Sequence, residues 1–196
     1  MPSQTFIRWF ESLRSTDVAI VGGKTASLGE LYSSLRPRGI NVPNGFGITA
    51  EAYRAALSAA GAWQQIAPLL EGIGEADTQV TAHHASAARP LVYTAPDTTP
   101  LHEQLGEAYR KLEAQYGRNV SVAVRSSATA EDLPNASFAG QHDSFVNIRG
   151  VEAVFEACRH CFSSIFTDRA IVYRNNNGFS HAKVALSVAV MKMVRS

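Results

Sequence analysis

The sequence predicts a mixed α/β or α+β domain. Three observations carry that reading. Segments whose apolar residues follow a helical spacing interleave with short Val-rich runs, VSVAVR at 120–125 and VALSVAVMKMV at 184–194. Gly and Pro punctuate the joins between them. Hydrophobic residues make up 45% of the 196 positions and charged residues 18%, a balance that supports a sizeable core and argues against a disordered chain.

Taken in order, the N-terminus MPSQTFIRWFESLRS has no apolar h-region, because Arg8 and Glu11 interrupt it, so it is not a signal peptide. Residues 18–21, VAIV, read as a short buried strand, which Gly22-Gly23 ends. A helix follows with Leu28, Leu31, Tyr32 and Leu35 on one face, stopped by Pro37 and Gly39. INVPNGFGI at 40–48 reads as extended, with Pro43 arguing for an edge or a turn. Thr49 is placed to cap a helix carrying Tyr53, Ala56 and Leu57.

Residues 62–97 hold weaker helical patterns, broken at Gly72, Gly74, Pro90 and Pro96. His83-His84 has no carboxylate or Cys at ligand spacing and reads as a solvated helix face. TAPDTTP reads as a turn-rich linker. Thr99-Pro100 then opens a helix lined by Leu101, Leu105, Ala108, Leu112 and Tyr116 and closed by Gly117. Strand 120–125 is followed by a long polar loop, 126–142, and by DSFVNI at 143–148, which alternates as a strand does. Gly150 precedes a helix with Val151, Val154, Phe155, Cys158, Phe162 and Ile165 on its core face. Thr167-Asp168 opens another that ends at Asn177-Gly178. The nearly apolar run at 184–194 suits a strand covered on both faces. The chain stops at Ser196, directly after it, which predicts truncation of a longer protein.

Composition excludes some functions. Net charge is +1 and the basic residues are scattered, so the stripe expected of a nucleic-acid binder is missing. The longest apolar stretch is too short to span a bilayer, and the expected location is the cytoplasm. The two cysteines, Cys158 and Cys161, form a C-x-x-C in a helical pattern. A second pair for a four-ligand zinc site is absent, so they read as small core residues one helical turn apart.

Two motifs can carry chemistry. Gly22-Gly23-Lys24-Thr25 resembles the end of a phosphate-binding loop, but Val18 stands where that motif requires its first Gly. What remains is backbone that can approach a phosphate, a lysine, and a helix start. The same residues also fit an ordinary Gly-Gly helix start with a solvated lysine. The second motif is RSSATAEDLPNASFAGQ, from Arg125 to Gln141. An arginine at a strand end can fork onto a polyphosphate, and Ser, Thr and Gly allow close backbone approach to its oxygens. An ordered surface loop with Arg125 paired to Glu131 or Asp132 fits these residues equally well.

GGKTASLGEL, VPNGFGITAEAYR, VAVRSSATAEDLPNASFAGQHDSFVNIRG and FTDRAIVYRNNNGFSHAKVALSVAVMKMVRS, in this order and spacing, resemble the N-terminal nucleotide-binding region of the phosphoenolpyruvate synthase (pyruvate, water dikinase) family. Pyruvate, phosphate dikinase and rifampicin phosphotransferase are its relatives. The resemblance covers most of the chain and is weakest across 62–97. It implies that residues 1–196 are the N-terminal part, the first lobe, of an ATP-grasp domain in which ATP lies between two lobes and passes its β-phosphoryl to a histidine on a swivelling domain.

Matched position by position, the resemblance makes Lys24 and Arg125 the cations on the ATP phosphates and the catalytic residues of this chain. Ser137, Gly140, Gln141 and Ser144 belong to a segment that closes over the phosphates, and Met193 and Val194 lie where the adenine-contacting hinge begins. Ser144 stands where relatives often have Thr, and His142, where Gln is common, reads as a loop-tip contact. The cofactors implied are ATP and Mg2+, with the metal's acidic ligands expected outside this chain. The partners implied are the second lobe, the phosphohistidine domain and the pyruvate-binding barrel. A drug-phosphorylating relative and a standalone, non-catalytic nucleotide-binding module are the alternatives.

Overall fold

The computed structural model describes residues 5–70, 78–129 and 143–194. Strands β1 (Ile7–Trp9), β2 (Gly45–Ile48), β3 (Val122–Ala128), β4 (Ser144–Ile148) and β5 (Leu186–Lys192) form one sheet in the order β1-β2-β5-β3-β4. Every pairing in it is antiparallel. Helices α1 (Val18–Leu35), α2 (Ala50–Ala59), α3 (Ala62–Leu70), α4 (Thr78–Thr94), α5 (Leu101–Tyr116), α6 (Val151–Ser163) and α7 (Asp168–Asn176) surround it. An antiparallel sheet with helices on its faces makes the class α+β.

The sheet's two faces differ in chemistry. Val122 and Val124 of β3, Leu186, Val188 and Val190 of β5, and Phe46 and Ile48 of β2 point into the larger core, together with α2, α5 and α6. The opposite face carries small residues where α1 crosses it, Gly47, Ser127, Ser187 and Ala189, which let α1 approach closely. A Cβ added to Gly47 would stand 2.7 Å from Thr25 Cγ2. Val21, Ala26 and Tyr32 of α1 form a second, smaller core with Phe10 and Leu13, and Met191 packs against it.

Several expectations hold. Thr49 caps α2, its Oγ1 accepting the Ala52 N–H at 3.3 Å, and Tyr53, Ala56 and Leu57 are buried. The core faces of α5 and α6 are buried as periodicity predicts, apart from half-buried Tyr116 and Val151 at their ends. Cys158 and Cys161 are free thiols inside α6, both buried. β5 is the centre of the sheet, flanked by β2 and β3.

Other expectations are corrected. VAIV at 18–21 is the first turn of α1, not a strand, and Ile20 is exposed. Arg125 does not end β3: the strand runs on through Ser126, Ser127 and Ala128, so the polar loop cannot begin at 126. The two serines do not face solvent, being 1% and 0% exposed, and their hydroxyls bond to neighbouring backbone, Ser126 Oγ donating to the Asp143 carbonyl and Ser127 Oγ accepting from the Thr25 N–H. The rest of the predicted loop, 130–142, lies outside the described residues. Pro43 marks no edge, since β2 lies between β1 and β5. α4 continues through Pro90, and the supposed linker at 94–100 contains a 3-10 turn, Ala95–Thr98, with Ala95 and Pro96 buried. β1 was not expected at all; it adds a short outer strand beside β2.

Candidate functional site

The site begins at a break in α1. Gly22 has φ 71° and ψ 164°, which no helix contains and which L side chains rarely adopt. The chain turns there and restarts as a helix at Gly23-Lys24-Thr25. Gly22 also has to lack a side chain, because the Ser127 hydroxyl and backbone occupy the space a Cβ would take. The break is held on both sides by buried hydroxyls from the sheet: after it the Thr25 N–H donates to Ser127 Oγ at 3.2 Å, and before it Ser187 Oγ donates to the Val21 carbonyl.

Lys24 therefore emerges, half-buried, from the first turn of the restarted helix, above the small-residue face of the sheet. Arg125 rises from the middle of β3 on that same face, opposite Ala189 of β5 and Ser144 of β4. The two cations line one open cavity of about 380 Å³ with Gly23, Ser27, Leu28, Leu31 and Ala189. No carboxylate occurs in that described lining. One side is cationic, and Leu28 and Leu31 make the other apolar. Such a cavity attracts an anion that carries an apolar or aromatic part.

Arg125 is exposed and partly aligned. Its Nε donates to Ser144 Oγ at 3.3 Å, and the described residues give its two terminal nitrogens no partner. Ser144, on β4, thus touches the site through Arg125, though it is not in the described lining of the cavity. Glu131 and Asp132, the acids that could have paired with Arg125, lie outside the described residues, as do Ser137, Gly140, Gln141 and His142. Met193 and Val194 follow β5 beyond Lys192, which pairs with Val122. The Met193 N–H donates to the Ser121 carbonyl at 2.8 Å. Neither residue is in the described lining of the Lys24–Arg125 cavity.

Sequence did not single out Ser187, and it placed Thr25 and Ser127 inside the two motifs without showing that they are buried contacts holding the Gly22 break. Their signal was present but ambiguous: small hydroxyl residues inside Val-rich or Gly-rich runs read as loop or filler. Among the described residues no group of three His, Cys, Asp or Glu side chains is placed to hold a metal ion, and no helix is long and apolar enough to cross a membrane.

The family model for the pyruvate phosphate dikinase AMP/ATP-binding domain matches residues 18–196. The chain is 47% identical over 192 residues to a phosphoenolpyruvate synthase of Helicobacter pylori, covering 97% of this chain and 24% of that protein. It is 47% identical over 195 residues to one from Synechocystis, covering 97% and 24%, and 44% identical over 194 residues to one from Escherichia coli, covering 99% and 24%. The chain spans about a quarter of the length of these curated relatives.

Proposed function

The chain belongs to the pyruvate phosphate dikinase AMP/ATP-binding domain family, and from that premise we propose that it is the first ATP-grasp lobe of a phosphoenolpyruvate synthase, with Lys24 and Arg125 as its phosphate-binding cations. The observation that carries this reading is their convergence: a helix break and the middle of a strand, far apart in sequence, deliver two cations to one cavity whose described lining has no acid. The names of the relatives supply only the product, phosphoenolpyruvate; the family resemblance supplies the rest, in which the whole protein would convert ATP, pyruvate and water to AMP, phosphoenolpyruvate and phosphate, through a phosphohistidine carried by another domain. Its second lobe, phosphohistidine domain and pyruvate-binding barrel are the partners this reading requires, and its compartment is the cytoplasm.

Phosphoryl transfer needs positioned charge more than covalent help from the protein. Lys24 supplies a compact charge and Arg125 a planar fork, whose Nε donates to Ser144 Oγ. Ser137, Gly140 and Gln141 would complete the cover over the phosphates, and Met193 and Val194 would meet the adenine. Magnesium, which the dikinase reaction would use, finds no donor set among the described residues; charge neutralisation is the chemistry assigned to this chain.

Calorimetric titration of the chain with ATP, ADP, AMP and adenosine tests the reading. Affinity falls with each phosphate removed if the two cations bind phosphate. Equal affinity for ATP and adenosine contradicts it. In the longer protein, pyruvate-dependent release of AMP with formation of phosphoenolpyruvate separates the synthase from a relative that phosphorylates a drug.

A further inference from the structure

We propose that Ser127 and Ser187 are positioning residues for Lys24: they clamp the Gly22 break of α1 to the sheet and thereby set where the Lys24 ammonium stands in the cavity. The proposal rests on the reading of Lys24 as a phosphate-binding cation.

A helix start leaves backbone N–H groups without partners, and the residue at the N-cap normally supplies an oxygen for one of them. Gly22 occupies that position and has no side chain to offer. Ser127 of β3 substitutes for it: its hydroxyl fills the space beside Gly22 and accepts the Thr25 N–H at 3.2 Å. On the other side of the break, Ser187 of β5 donates to the Val21 carbonyl, and its Oγ lies 3.5 Å from Thr25 Oγ1. Ser127 and Ser187 are register partners across β3 and β5. Ser127, Ser187 and Thr25 are all 0% exposed.

Val21 and Thr25, the two clamped residues, bracket Gly22-Gly23-Lys24. Two consecutive glycines give that segment more backbone freedom than any other pair would. A lysine rooted in it reaches a defined point only if both flanks are fixed. Buried hydroxyls in a sheet cost desolvation unless they are bonded. Here each is bonded to the turn that carries Lys24, and the pair serves that turn and not the sheet ladder.

The test is a mutant cycle read by ATP titration of the chain. Ser127→Ala and Ser187→Ala are each made alone and with Lys24→Ala. The expected result is an ATP affinity about threefold to tenfold weaker for each serine variant when Lys24 is present, the scale of one lost buried hydrogen bond. With Lys24 already removed, the same changes alter affinity by less than about twofold, because the coupling runs through Lys24. Equal weakening in both backgrounds overturns the proposal, since the serines would then act as ordinary structural residues. Amide exchange at Thr25 gives a second readout without nucleotide: Ser127→Ala accelerates it, and unchanged exchange overturns the clamp. Lys24→Ala binding ATP as wild type does would instead remove the phosphate reading, with Thr25 exchange still deciding whether the clamp exists. If Ser127→Ala does not fold, Ser187→Ala reads the same coupling from the other strand.

Discussion

The Arg125 guanidinium and the Ser144 hydroxyl face each other in register across β3 and β4, with Nε donating to Oγ at 3.3 Å. Arg125 also lines the cavity that Lys24 lines. Arg125→Lys keeps the charge and loses the fork, so ATP affinity should fall about tenfold to a hundredfold, the equivalent of roughly 1.5–3 kcal/mol for a charged hydrogen bond. Arg125 is exposed, so the melting temperature should barely move. Ser144→Ala should weaken ATP less than Arg125→Lys does. A large fall in thermal stability with unchanged ATP affinity would make Arg125 a structural residue.

Gly22→Ala should be costly. Its φ of 71° strains any L side chain, and the new methyl would run into the Ser127 backbone, whose carbonyl oxygen is 2.5 Å from the Cβ position. About 2 kcal/mol or more is expected, which is a melting temperature lower by about 4–8 °C for a chain of this size. Gly39→Ala is the control: φ is 81°, but nothing stands within 4 Å of its Cβ. It should lose about 1 kcal/mol, the backbone preference alone. Equal losses at both positions would deny the close contact between α1 and β3.

His181 predicts a pH dependence of stability. Buried Arg174 donates from Nε to His181 Nδ1 at 2.8 Å, so Nε2 carries the ring proton toward Asn175 Oδ1, also at 2.8 Å. Burial, helped by the Arg174 charge, lowers the folded-state pKa of His181 to about 4 from 6.5. The unfolded chain takes up the proton first as pH falls. The contribution is therefore complete above pH 6.5 and is lost progressively toward pH 4. Denaturant melts at intervals across that window should show stability falling with acid, and less steeply in His181→Gln. Parallel curves for the two proteins would contradict the assignment.

The cysteines should be inert in the folded state. Burial raises both thiols above their usual range, and Cys161 also feels Cys158 and Asp143. Thiolate is the reactive form, so labelling by a thiol reagent near neutral pH should proceed at the rate of unfolding. Labelling in seconds under native conditions would make the pair accessible.

Much of this fold was legible because α2, α5 and α6 bury one face each, and period alone reveals such helices. Thr49 was legible as a cap because a hydroxyl directly precedes an apolar-periodic run. VAIV was misread because three β-branched residues, Val18, Ile20 and Val21, favour a strand locally, whereas they form the first turn of α1, which ends at the Gly22 break docked on Ser127. β1 escaped notice because Ile7–Trp9 is three residues long with Arg8 between its apolar members. Ser126 and Ser127 were assigned to a loop because their polarity hides that they are buried against α1 and the segment at Asp143. At the site, Lys24 and Arg125 could be singled out by residue type and resemblance. Their shared cavity could not, since it depends on which face of β3 Arg125 occupies.

The most direct measurement is the ATP affinity of the chain with Lys24→Ala and Arg125→Ala, set beside adenosine and thermal melts. The predicted result is weakening by about tenfold to a hundredfold in each variant, with melting temperatures close to wild type and adenosine binding unaffected by either change. Wild-type ATP affinity in both variants, with the fold intact, would contradict the claim that this cavity binds the phosphates of ATP.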